Sequence, residues 1–330
     1  MPARPDPFRR GMMAAVRGWV DPLVVGILSV LVLGLVLPAS GTTADVLDDV
    51  RTAAIVVLFF FYGAKMRTSE VVDGLRSWRL QGSMLASTYV VFPLLGLATQ
   101  LLPDALLAPE LRQGVLYLSL LPSTVQSSVV FTSIARGNVA GAITGATISN
   151  VAGVVLTPLL VALVLGGSGG AGGSLDGILL QLLLPFVVGQ TVQRWVGPWV
   201  RRHAALTRFT DRATILLVAY TAVSEAQTSG AWDHVTAGAL VALLVVCAVL
   251  LAVMLTLTWR GGRRLGLAMP DRIALLMVGS KKSLATGLPM AAVLFTPAVA
   301  ASVALPVIAF HQIQLATCAV VARRLSARVE

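Results

Sequence analysis

Apolar runs close to the length of a membrane span recur along this chain, and the short loops between them carry most of its charge. A helix needs about 20 apolar residues to cross the hydrocarbon layer, where backbone polar groups have to be paired within the segment itself. Ten runs can be drawn: 22–37, 53–64, 81–102, 114–134 and 139–165, then 175–196, 213–227, 235–257, 273–293 and 298–321. Only 12% of the 330 residues are charged, against about a quarter in soluble domains. The expected fold is therefore an all-α membrane protein with ten transmembrane helices.

The net charge of +10 follows from topology. With a cytoplasmic N-terminus, the inside loops hold 21 Lys and Arg, while the outside loops hold only Arg51 and Arg112. One missing helix would invert everything downstream, so this bias supports the count and puts both termini in the cytoplasm of an inner (plasma) membrane protein. All six tryptophans fall at run ends, where an amphipathic ring sits at headgroup level. No basic stretch carries interleaved aromatics, so the partner is the lipid bilayer and not nucleic acid. Cys247 and Cys318 lie inside apolar runs and read as small buried residues, not as a disulfide or metal site. The basic N-terminus before an apolar run resembles a signal peptide, but no small-x-small cleavage site follows, which predicts a retained first helix.

The organisation reads as a cytoplasmic segment (1–21), a five-helix repeat (22–165), a Gly/Ser linker (166–174), a second five-helix repeat (175–322) and a cytoplasmic tail (323–330). A charged amphipathic segment, 65–79, precedes the third span. Five spans per half place the second half upside down relative to the first, the inverted repeat of many secondary transporters. The plainer alternative is ten helices divided by chance around a glycine linker.

The fourth and ninth spans are both interrupted, at Pro122-Ser123-Thr124-Val125-Gln126-Ser127-Ser128 and at Gly279-Ser280-Lys281-Lys282-Ser283. Unwound backbone survives in a membrane only when buried in protein or lining a cavity, and paired interruptions point to a midplane site. Gln126, Ser127 and Ser128 offer oxygen ligands for a cation, and Thr144, Thr147, Ser149 and Asn150 of the fifth span add more. Thr147 and Asn150 share a helix face. Against this, Ser and Thr also serve simply to pack helices closely.

Lys281 and Lys282 set two charges at a depth costing about 2.5–3.5 kcal/mol each, which favours a cavity or partner over snorkelling. They imply an anionic substrate or a counter-carboxylate, with Ser283 beside them. Glu225 is the carboxylate at comparable depth, either a counter-ion or proton relay, or the outer end of the seventh helix. His311, Gln312 and Gln314 open the last half of the tenth span, where a histidine is more often a packing residue than a ligand. Metalloprotease, P-loop and nucleophile-elbow motifs are absent from the sequence, which argues against an enzyme or an ATP-driven pump.

Four segments resemble the bile acid:sodium symporter superfamily, in its SBF-like branch with solute carrier family 10 member 7 and bacterial relatives. They are FFFYGAKMRTSEV (59–71), LPSTVQSSVVFTSIARGNVAGAITGATISNVAGVVLTPLL (121–160), YTAVSEAQTSGAW (220–232) and GSKKSLATGLPM (279–290). The resemblance covers nearly the whole chain. It implies a panel domain and a core domain, the latter around crossing, unwound fourth and ninth helices. It also implies sodium at Ser127, Ser128, Thr147 and Asn150. In the ninth helix the chain departs from the sodium-coupled pattern, with Met277 and Lys281 where those relatives carry Glu and Gln. A fixed cation there stands in for an ion or repels one, so sodium coupling stays open and no organic cofactor is implied.

The function expected is secondary active transport of a small organic anion by alternating access, with sodium as a candidate coupling ion. Its rivals are a proton-linked or uncoupled carrier and a non-transporting regulator of ion handling or envelope assembly. A channel would align polar residues along several helices and not gather them at two breaks.

Overall fold

A computed structural model describes residues 22–66, 77–166, 175–230 and 236–327, and every regular element among them is helical. The expected N-terminal segment, most of the amphipathic segment, nearly all of the glycine linker and the last three residues of the tail lie outside the described residues.

The elements are α1 (Pro22–Val36), α2 (Thr42–Lys65), α3 (Trp78–Thr99), α4 (Pro109–Leu120), α5 (Gln126–Ile134), α6 (Val139–Leu165) and α7 (175–191). After them come α8 (Gln193–Arg202), α9 (Ala204–Thr228), α10 (Ala237–Arg264), α11 (Met269–Gly279), α12 (Leu284–Leu294) and α13 (Pro297–Ser326). Each apolar run drawn from the sequence is helical over most of its length. Among the described residues, four helices are long and apolar enough to cross a membrane on their own: α3, α6, α10 and α13. The lipid-facing exterior is evident on α10, where Leu240, Val241, Leu244, Val245 and Val249 are exposed. The protein is a multi-pass helical membrane protein.

Helix ends differ from the apolar boundaries. α2 starts 11 residues before the expected span, at Thr42, and α9 starts at Ala204 instead of Ala213. Hydropathy marks the stretch that needs lipid, whereas a helix continues into water as long as its backbone bonds do. The end of the expected sixth span and the basic stretch after it form the separate helix α8. It is amphipathic, with Trp195 and Trp199 exposed, Val200 buried, and Arg194 stacked 4.0 Å over Trp195. Such a short basic helix suits the headgroup layer.

The helices fall into two groups by contact, each drawing on both halves of the chain. One comprises α1, α2, α7, α8 and α9; the other comprises α3–α6 and α10–α13; α9 against α12 and α13 is the main seam. Within the first group, α2 and α7 cross at glycines. A Cβ on Gly63 would stand 2.1 Å from the Phe186 carbonyl oxygen, and one on Gly189 would stand 2.2 Å from that of Phe60. Backbone cannot yield as a side chain can, and small residues let membrane helices approach this closely. Gly189→Ala should therefore lower stability by about 2–3 kcal/mol through overpacking. Gly261→Ala on α10, with open space around it, should be neutral or slightly stabilising. Melting points of the two detergent-solubilised variants check the contrast.

Two helices contain π turns, Ser87–Val91 in α3 and Leu179–Leu183 in α7, each just before a proline (Pro93, Pro185). Proline has no N–H and its ring crowds the preceding turn, so the ladder skips a residue.

Candidate functional site

The two interrupted spans are broken where the sequence predicted. α4 stops at Leu120 and α5 begins at Gln126; α11 stops at Gly279 and α12 begins at Leu284. At about 1.5 Å per residue none of the four pieces reaches across a layer about 30 Å thick, so their inner ends meet within the protein.

The breaks are stitched to each other. Ser283 N–H donates to the Pro122 carbonyl at 2.8 Å. Ser123 and Ser128 hydroxyls donate to the carbonyls of Val278 (2.6 Å) and Met277 (2.9 Å), capping the last turn of α11. α6 backs the first break: Ser149 Oγ accepts from Ser123 N–H, Asn150 donates to the Ser123 carbonyl at 2.6 Å, and Thr157 donates to that of Leu120. These bonds satisfy backbone groups that the interruptions would otherwise leave orphaned.

Both lysines are buried at this crossing, 0% and 1% exposed. Lys281 donates one hydrogen bond, to the Ser127 carbonyl at 3.0 Å, and lies 4.2 Å over the Phe131 ring. Lys282 donates to three carbonyls, Thr88 (2.9 Å), Ser119 (2.7 Å) and Leu121 (2.7 Å), with Phe92 4.3 Å away. Neither ammonium hydrogen-bonds a carboxylate among the described residues. The backbone of Lys282 is clamped on both sides: Gln314 Oε1 accepts its N–H at 2.9 Å and Gln314 Nε2 donates to its carbonyl at 2.8 Å.

The remaining expected residues are placed as follows. Gln126 is exposed at the start of α5, and Ser127 is half-buried, its hydroxyl 3.5 Å from that of Thr124. Thr147 is half-buried on α6, one turn from Asn150. Ser283 caps α12, its side chain accepting from Thr286 N–H. Glu225 lies elsewhere, on α9, in a crevice of about 10 Å3 with Arg51, Thr221, Leu288 and Pro297. His311 sits beside the clamp, its Nδ1 2.9 Å from Gln314 Nε2.

The oxygens of Ser127, Ser128, Thr147 and Asn150 are of the type a sodium ion takes, but charge works against one there. The Lys281 ammonium already holds the Ser127 carbonyl. A second unit charge about 5 Å from an ammonium costs about 3 kcal/mol at an effective dielectric of about 20.

Sequence reasoning did not find the carbonyls of Thr88, Ser119 and Leu121, because a backbone oxygen has no residue signature. Prolines 93 and 122, which deprive helices of N–H donors, were the available signal. Gln314 was noticed without its role at the Lys282 backbone.

The chain is similar to known proteins over most of its length. A protein from Pseudomonas aeruginosa, "Uncharacterized protein PA2026", is 46% identical over 93% of each chain. "Putative symporter YfeH" of Escherichia coli K12 is 44% identical over 94% of each, and "Sodium/bile acid cotransporter 7-B" of Xenopus laevis is 26% identical over 88% of each. The model of the SBF-like CPA transporter family matches residues 21–327. A multi-pass transporter with two broken helices stitched at their breaks, this chain belongs to the SBF-like CPA transporter family.

Proposed function

We propose that the protein is a secondary transporter of a small organic anion, working by alternating access between two inverted five-helix repeats with both termini cytoplasmic. The single observation that carries the reading is the meeting of two helix breaks around a pair of buried lysines with no carboxylate partner among the described residues. Lys281 supplies the charge for the anion. Its ammonium has three donors and spends one on Ser127, which leaves two for a ligand.

The start of α5 supports the same assignment. Its first turn has no side-chain cap, so amide N–H groups there favour negative charge, as half-helix N-termini do at transporter sites. The seam between the helix groups supplies the gate. Near Arg51 and Glu225 it has room for about one water, a closed passage that rocking of one group against the other would open.

Relatives named as a symporter and as a sodium/bile acid cotransporter favour a coupling cation, for which Ser127, Ser128, Thr147 and Asn150 are the candidates. A second reading, a proton-linked or uncoupled carrier, is favoured by the ammonium already resting on the Ser127 carbonyl. The two separate in one experiment, the melting point of purified protein in sodium chloride against potassium chloride at equal ionic strength. Saturating sodium at about 100 times its dissociation constant should stabilise by about 2.7 kcal/mol. That gain should vanish in Asn150→Ala and Ser128→Ala. Equal melting in both salts would remove sodium from the mechanism and leave the carrier proton-linked or uncoupled. Small organic anions that raise the melting point then become substrates for uptake into proteoliposomes. A complete lack of anion-dependent stabilisation and uptake would favour a non-transporting regulator.

A further inference from the structure

The two lysines at the crossing differ in what holds them, and the difference begins in the backbone. In the π turn of α3, Phe92 N–H bonds to the Ser87 carbonyl, and the next residue, Pro93, has no N–H. No backbone donor of that turn is therefore left for the Thr88 carbonyl. At the end of α4 the same thing happens by another route. The Ser119 carbonyl would take an N–H from Pro122 or Ser123; proline has none, and that of Ser123 goes to Ser149 Oγ. Leu121 closes the helix in an extended conformation, so its carbonyl projects beyond the last turn.

Three carbonyls released from their ladders thus converge on one point, which also lies at the negative end of α4 and against the face of Phe92. The point is occupied by Lys282 Nζ. A protonated amine has three N–H donors, one for each carbonyl, whereas a neutral amine would turn a lone pair toward one of them. The Gln314 clamp fixes the backbone from which this charge is presented.

We propose that the Lys282 ammonium is a resident cation filling a three-carbonyl cage between α3 and α4. Without the side chain, that cage binds a free monovalent cation of ammonium or potassium size. Lys282 then has no donor to offer a substrate, and the two lysines divide the work: Lys282 holds the crossing together while Lys281 meets the ligand. The consequence for coupling rests on the transporter reading, while the cage itself does not. A charge carried on the chain stays in place through the cycle, so no soluble ion is needed at this position.

The test is cation rescue of full-length Lys282→Ala, extracted and purified in detergent with chloride salts of ammonium, methylammonium, potassium or N-methylglucamine at equal ionic strength. The variant should be aggregated or low-melting in N-methylglucamine. In ammonium, methylammonium or potassium it should give a monodisperse peak and a melting point higher by on the order of 5 °C. Wild type and Lys281→Ala should show no such gain from ammonium over N-methylglucamine. Lys282→Gln, which keeps a neutral donor of similar reach, should fold, melt below wild type and ignore the cation.

Collapse of Lys282→Ala in every salt, or wild-type melting of either Lys282 variant in N-methylglucamine, would overturn the proposal. Anion uptake reports on the other question. Rescue in a protein that moves no anion keeps the cage and removes the transport reading; uptake without rescue does the reverse.

Discussion

Lys281→Met is expected to fold, reach the membrane and lose anion transport by on the order of 100-fold. The ammonium of Lys281 makes one hydrogen bond, to the Ser127 carbonyl, so its loss orphans a single acceptor and costs about 1–3 kcal/mol. Methionine keeps the unbranched volume beside Phe131 and removes a buried charge that has no carboxylate partner among the described residues, which offsets part of that cost. Binding has no such compensation. An anion entering a desolvated site loses a full positive neighbour with free donors, and truncating one partner of a buried charge pair costs about 2–5 kcal/mol. About 2.7 kcal/mol corresponds to the 100-fold loss. The measurement is uptake into proteoliposomes of whichever anion stabilises the wild type, alongside the melting point of the variant. Lys281→Arg, with the charge retained, should recover part of the uptake. Wild-type uptake by Lys281→Met at matched protein levels would move the anion site away from this lysine.

The parts of the fold read from the sequence are those set by solvent. Ten stretches predicted as spans are helical because an apolar run leaves a backbone no other way to pair in lipid. The breaks were legible for a related reason. Pro122 beside four hydroxyl residues, and two lysines after Gly279, cannot continue an apolar helix without a special environment. What the sequence could not show is where freed backbone groups go. Ser128 was expected as an ion ligand, and its hydroxyl proton is committed to Met277; Asn150 was expected beside it, and its amide braces the Ser123 carbonyl. Those are long-range pairings between residues up to 149 positions apart, and nothing local encodes them.

Glu225 marks the limit differently. Its depth along a helix could be counted, but its rotation about the helix axis depends on which neighbours α9 meets. α9 lies along the seam with α12 and α13, where Glu225 shares a crevice with Arg51. Depth alone therefore cannot tell a partner of the lysines from a residue of the seam. The amphipathic α8 has no apolar run of its own to mark it, because its ten residues include three arginines.

Gln314→Leu is expected to be among the most destabilising single changes in this chain, because residue 314 holds the backbone of Lys282 at the second break. Its amide takes the N–H and meets the carbonyl of Lys282, at 2.9 and 2.8 Å, in a fully buried position. Leucine fits the space and satisfies neither group. Each orphan costs about 1–3 kcal/mol, together about 4 kcal/mol, which should lower the melting point by on the order of 10 °C. The nearby Gln312 provides the contrast, since it is half-buried and its amide nitrogen meets no hydrogen-bond partner among the described residues. Gln312→Leu removes a polar group that gains nothing from burial, and it should be neutral or stabilising. A reversal of that order, with Gln312→Leu the more damaging, would show that polar packing along α13 matters more than the clamp. The expected order instead makes the break between α11 and α12 a structure held from outside, by a side chain 32 residues further on in α13.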